Sequence, residues 1–177
     1  MIIFLLVHNT GFALDLLYSN NFNSNSQLFT INEATGQTTL VGSIGFEVTD
    51  IAFNGSEVYG ITFSSFLKIN KNTGAGNVIG NLSFSDMNAL AISQKGEIFS
   101  AGRNTGNFIS IDKNTGRGVL IGNYGNGITS SGDLAFDSKG VLYASVKKPG
   151  SSTDWIAQIN TTSGQASLIG DSGALNI

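Results

Sequence analysis

Four versions of one twelve-residue stretch recur along the chain, and this repetition restricts the fold more than any other feature. They read INEATGQTTLVG from Ile31, INKNTGAGNVIG from Ile69, IDKNTGRGVLIG from Ile111 and INTTSGQASLIG from Ile159. Each keeps Ile, then Asn or Asp, then Thr-Gly or Ser-Gly, and ends on a Gly six residues after the first. The first glycines, Gly36, Gly74, Gly116 and Gly164, are spaced by 38, 42 and 48 residues. A chain with such a period builds one supersecondary unit per repeat and buries its core by stacking neighbours.

The pattern inside the unit is that of strands. Ahead of each turn lies a short run such as Phe66-Leu67-Lys68-Ile69 or Phe108-Ile109-Ser110-Ile111. Its second and fourth positions are apolar and its third is polar, so alternate side chains share a face. After the glycine comes a second run, such as Val119-Leu120-Ile121. The Asn or Asp opening the turn bonds backbone NH groups ahead of it, and the Gly tolerates a positive φ. Two further strands complete the unit, exemplified by Asp50-Ile51-Ala52-Phe53 and Val58-Tyr59-Gly60-Ile61, joined at Gly55. The small Ala of the first suits a crowded inner strand. Four strands in roughly 40–50 residues make one propeller blade.

The pattern D-L-A-F-x-x-x-G-x-L-Y followed by I-D-x-x-T-G-x-x-x-x-I-G resembles the repeats of secreted bacterial β-propellers of the quinoprotein-like, NHL and YVTN type. The resemblance covers roughly residues 14–177. It implies an all-β fold of about four blades, each of four antiparallel strands, as a four-bladed ring or as part of a larger propeller. The quinoprotein tryptophan after the Thr-Gly turn is missing. Trp155, the lone tryptophan, precedes that turn, so no quinone-binding residue carries over.

The blades are expected at about residues 1–45, 47–82, 85–125 and 130–171, with the start of a further blade at 173–177. Residues 1–13 read as a blade strand or as an atypical signal segment: residues 2–7 are apolar, but no basic residue precedes them. Residues 20–26 read as an Asn/Ser loop. Residues 174–177 would complete the first blade if the ring closes; an open array would leave apolar faces on its end blades and associate through them.

Composition narrows the function. Nine basic and twelve acidic residues among 177, scattered, argue against nucleic acid, which needs clustered Lys and Arg. No apolar run is long enough for a membrane-spanning helix. The absence of cysteine removes thiol chemistry and disulfides. Richness in Asn, Ser, Thr and Gly, with the resemblance, points to an extracellular or periplasmic bacterial protein.

No catalytic constellation stands out. His8 is the lone histidine, and nothing places it beside a carboxylate. Asp50 and Asp133 head equivalent inner strands, and Asp86 lies just before the third copy. These three are the metal candidates: a carboxylate ring at a channel mouth suits a hard cation such as calcium. The competing role, which is preferred, is the capping of backbone NH groups at strand starts. Gly74-Ala75-Gly76 and Gly116-Arg117-Gly118 have no following helix and fail as phosphate loops. Trp155 and Tyr124 offer flat surfaces for sugars or pack between blades. The expectation is a non-catalytic exported module that binds protein, glycan or a surface, with no cofactor. The alternative is a hydrolase or lyase using channel-mouth carboxylates and a divalent metal.

Overall fold

The computed structural model describes residues 16–22, 25–32 and 34–174, and every regular element among them is a strand. Blade 1 contains β1 (Leu16–Phe22), β2 (Asn25–Ile31) and β3 (Thr38–Ser43). Blade 2 contains β4 (Asp50–Asn54), β5 (Glu57–Ile61), β6 (Ser65–Ile69) and β7 (Gly76–Asn81). β8 (Met87–Ile92), β9 (Ile98–Gly102), β10 (Asn107–Ile111) and β11 (Gly118–Asn123) form blade 3. β12 (Thr129–Phe136), β13 (Leu142–Lys147), β14 (Asp154–Ile159) and β15 (Ala166–Asp171) form blade 4. Each blade is an antiparallel meander with strands in chain order. The architecture is that of a β-propeller: β8, the inner strand of blade 3, packs against β4 on one side and β12 on the other.

The signature turn does in all four blades what its residues dictate. Asn32, Asn70, Asp112 and Asn160 each accept two backbone NH groups on Oδ1, at 2.8–3.2 Å. Their carbonyls accept the NH of Gly36, Gly74, Gly116 and Gly164 at 2.7–2.8 Å. Those glycines have φ of 70°, 79°, 69° and 76°, the left-handed region where a Cβ is penalised.

One residue is bulged at the same place in every outer strand. Leu28, Phe66, Phe108 and Ile156 pair with Gly42, Gly80, Gly122 and Gly170, and the next pairs skip Val41, Ile79, Ile121 and Ile169. Such bulges twist an edge away from further strand addition. One sequence reading is corrected here. Within residues 20–26, Asn20, Asn21 and Phe22 pair with Gln27, Ser26 and Asn25, so the supposed loop is mostly ladder. Polar residues pair as well as apolar ones when the backbone hydrogen bonds are made.

Three apolar clusters fill the three joints between blades. Leu28, Ile44, Ile51 and Leu67 meet in the first, Phe66, Leu82, Leu90 and Ile109 in the second, and Phe108, Tyr124, Leu134 and Ile159 in the third. Aromatic stacking adds to them, with Tyr59 on Phe66 at 5.3 Å and Phe99 on Phe108 at 5.4 Å. A backbone seat locks each joint. The Thr-Gly or Ser-Gly turn of one blade lies on the bulge glycine of the blade before: Thr73-Gly74 on Gly42, Thr115-Gly116 on Gly80, Ser163-Gly164 on Gly122. A Cβ on any of the three bulge glycines would collide with the carbonyl of Thr73, Thr115 or Ser163. Beside each seat one hydrogen bond crosses the joint. Gly76 NH donates to Ile44 O at 2.9 Å, Gly118 NH to Leu82 O at 3.1 Å, and Ala166 NH to Tyr124 O at 3.1 Å.

Residues 1–13, with His8, and the closing residues 175–177 lie outside the described residues.

Candidate functional site

The inner strands are where the sequence offered chemistry. Aligning β4, β8 and β12 puts Asp50, Ala89 and Asp133 at the same repeat position: carboxylate, methyl, carboxylate.

Asp50 is 1% exposed. Its Oδ1 accepts the NH of Ile51 at 2.7 Å, and its Oδ2 accepts the NH of Leu90 in β8 at 2.6 Å. One carboxylate thus caps its own strand and ties it to the next inner strand. Burial pushes its pKa well above the usual carboxylate range, and the charge of Asp133 pushes the same way. The two NH bonds oppose both effects. Asp133 is half-buried. Burial raises it to about 6, against the pull of the Leu134 NH. The charge of Asp133 thus reaches Asp50, and two carboxylates within electrostatic reach favour a proton, or a cation, over two bare charges.

Asp86 sits elsewhere in function. Its Oδ2 accepts the NH of Asn104 and Thr105 and the hydroxyl of Thr105, at 2.9–3.0 Å, which closes the hairpin turn between β9 and β10. It precedes the bulge at Asn88, which shifts the register of β8 against β9 between Met87 and Ala89. Among the described residues, no three His, Cys, Asp or Glu side chains gather in a way that would hold a metal ion. The charge of Asp133 is felt at Asp50, and the third candidate, Asp86, belongs to a turn.

Sequence reasoning passed over the polar groups buried behind these acids. Among the described residues, Asn88 Oδ1 and the hydroxyls of Ser100, Ser130 and Ser145 have no hydrogen-bond partner, although each residue is at most 7% exposed. They lie in β8, β9, β12 and β13, the two innermost strands of blades 3 and 4. The sequence signal was available: Ser100 stands where blades 2 and 4 carry Gly60 and Ala144.

The aromatic candidates are occupied. Tyr124 is 1% exposed inside the third joint, where burial drives its hydroxyl far above the ordinary tyrosine pKa. Trp155 is half-buried, with Lys148 over its ring at 4.1 Å and its Nε1–H donated to Ser151 Oγ at 3.0 Å. On the flank of blade 2, a shallow groove is lined by Glu57, Lys68, Asn70 and Lys71. Lys68 bonds Glu57 at 2.6 Å, and Tyr59 donates to the same carboxylate at 2.7 Å. Burial, with this bond, moves Tyr59 up to about 12. No helix among the described residues is long and apolar enough to cross a membrane.

No protein family matches the chain. No curated protein matches it either. Its fold is similar to that of several solved structures. Hydrazine synthase from Kuenenia stuttgartiensis superposes with a TM-score of 0.59 at 17% identity, over 88% of this chain and 46% of its own. The PQQ-bound aldose sugar dehydrogenase from Streptomyces coelicolor gives 0.56 at 16% identity, over 90% of this chain and 64% of its own. XC5397, a gluconolactonase from Xanthomonas campestris, gives 0.51 at 12% identity, over 68% and 46%. This chain thus spans less than two thirds of the length of each of these proteins, and at such identities the likeness establishes the fold: an all-β chain built of propeller blades.

Proposed function

We propose that the chain is a non-catalytic propeller module of an exported bacterial protein that binds a protein or glycan partner. The observation that carries this reading is the use made of the candidate acids. Asp50 spends both oxygens on backbone NH groups of two inner strands, and Asp86 closes a turn. Residues committed to holding strands in place give a rigid scaffold, and binding sites on such scaffolds belong to the loops they position. Richness in Asn, Ser, Thr and Gly supports the exported setting. Screening the purified chain against glycans and bacterial envelope proteins is expected to give at least one saturable partner; silence across both sets contradicts the reading.

A hydrolase or lyase with a divalent metal is the second reading, favoured by the coupling of Asp50 with Asp133. Its metal would take those two carboxylates and require further oxygen ligands from backbone carbonyls or water. Elemental analysis of gently purified protein should then find metal in stoichiometric amount, and calcium should raise the melting temperature. Failure on both counts removes this reading.

A further inference from the structure

The face of each blade that looks toward the next one is covered in blades 2 and 3 and open in blade 4. Ala52 and Ala91 are buried there, and Ala135 is exposed. Phe66 and Phe108 are 0% exposed, whereas their counterpart Ile156 is half-buried. The bulge residues Ile79 and Ile121 pack onto the joints, whereas Ile169 is 59% exposed. Gly170 repeats the seat of Gly42, Gly80 and Gly122, yet a Cβ built on it would meet nothing within 4 Å among the described residues. Asp133 lacks the cross-blade NH that Asp50 finds in Leu90.

Blade 1 carries the missing half. A Cβ on Gly36, in its Thr35-Gly36 turn, also meets nothing within 4 Å among the described residues. Ile31 is half-buried where Ile69, Ile111 and Ile159 are buried. The NH of Thr38 occupies the position from which Gly76, Gly118 and Ala166 donate across their joints. Among the described residues the two half-joints do not meet.

We propose that a second copy of this chain docks head to tail, laying its Thr35-Gly36 turn on Gly170 and its Thr38 NH against the carbonyl of Ser172. The occupant follows from continuity with the existing joints: the incoming face is a repeat of the faces that the three internal joints already bury. Each copy owns both halves, so two copies satisfy each other through two identical contacts. Ser172 replaces the apolar Ile44, Leu82 and Tyr124 of the internal joints, and its hydroxyl donates to Asp154 O at 2.6 Å. This joint is less apolar than the others and forms reversibly.

Light scattering on the full chain across a dilution series tests the proposal without reference to any ligand. The expected mass is that of two copies when concentrated, falling toward one on dilution. Gly170→Val should remain a single copy throughout, with an unchanged circular dichroism spectrum, because Gly170 is outside the left-handed region and its Cβ has room within one chain. Ile169→Lys should act likewise. A single-copy mass for the unmodified chain at every concentration overturns the proposal, and so does a Gly170→Val chain that keeps the unmodified mass.

Discussion

Blades 3 and 4 carry the same motif and differ in what lies beyond it. Gly122 has the Ser163 carbonyl pressed against its Cα, and Gly170 has open space. Ile121 packs into the third joint, and Ile169 stands 59% exposed. Tyr124 plugs the third joint at 1% exposure, and Ser172 takes the corresponding place in blade 4. The comparison separates the two glycines of the repeat. The first serves its own turn, through its positive φ. The second serves the neighbouring blade, by leaving room for the neighbour's turn. Its importance at each position is set by coverage, which the local sequence does not encode.

The largest effect expected from this contrast is at the seats. Gly122→Val should cost about 3 kcal/mol or more, since backbone rather than a flexible side chain must give way. Gly170→Val, measured in dilute solution, should stay within about 0.5 kcal/mol of the unmodified chain. Urea unfolding of both decides it; equal losses would break the distinction between covered and open seats.

A second contrast lies in the inner acids. Asp50→Ala strands the NH groups of Ile51 and Leu90 and should cost about 1–3 kcal/mol. Asp133→Ala should cost less, because Asp133 bonds only the NH of its neighbour Leu134. Denaturant midpoints at one pH compare them directly, and a greater loss at Asp133 would reverse the account.

The same pair sets a pH dependence. The folded pKa of Asp133, about 6, is above its unfolded value, so between the two the folded state binds more protons than the unfolded one. Stability should therefore fall as pH rises through that window, by about 3 kcal/mol, and the Asp133 contribution should level off above it. Asp50 is raised as well by burial and contributes in the same direction. Asp133→Asn should flatten the profile between about pH 4 and about pH 6. A profile that rises with pH there would contradict the burial of these groups.

Smaller still is the loss of one turn contact. Asn70→Ala removes the acceptor for Asn72 and Thr73 NH and should cost about 1 kcal/mol. Leu120→Thr on the outer rim, where Leu120 is 53% exposed, should change stability by less than about 0.5 kcal/mol. Thermal melts rank the two, and a reversed order would mean that the rim is covered.

Much of this was legible in the sequence because turn chemistry is local. The Asn or Asp, the Thr or Ser and the positive-φ Gly sit within six residues of each other, and their hydrogen bonds follow from their identities. The second glycine was visible as a repeat, but its partner lies a whole blade away, beyond any local reading. Asp86 stands just ahead of the position held by Asp50 and Asp133, and the NH groups it caps, of Asn104 and Thr105, belong to a turn one hairpin further along the chain. The pairing of residues 20–22 was hidden by Asn and Ser, whose side chains say nothing about whether the backbone is in a ladder. The coupling of Asp50 to Asp133 depends on two inner strands being brought around one axis, which spacing alone does not convey.

Thiol labelling at position 169 addresses the open face most directly, since the chain has no cysteine of its own. Ile169→Cys is compared with Val119→Cys, which is equally exposed, at 57% against 59%, but sits on the outer rim. The account predicts that labelling at 169 slows as protein concentration rises, while labelling at 119 does not. A rate at 169 that is independent of concentration, and equal to that at 119, would contradict it.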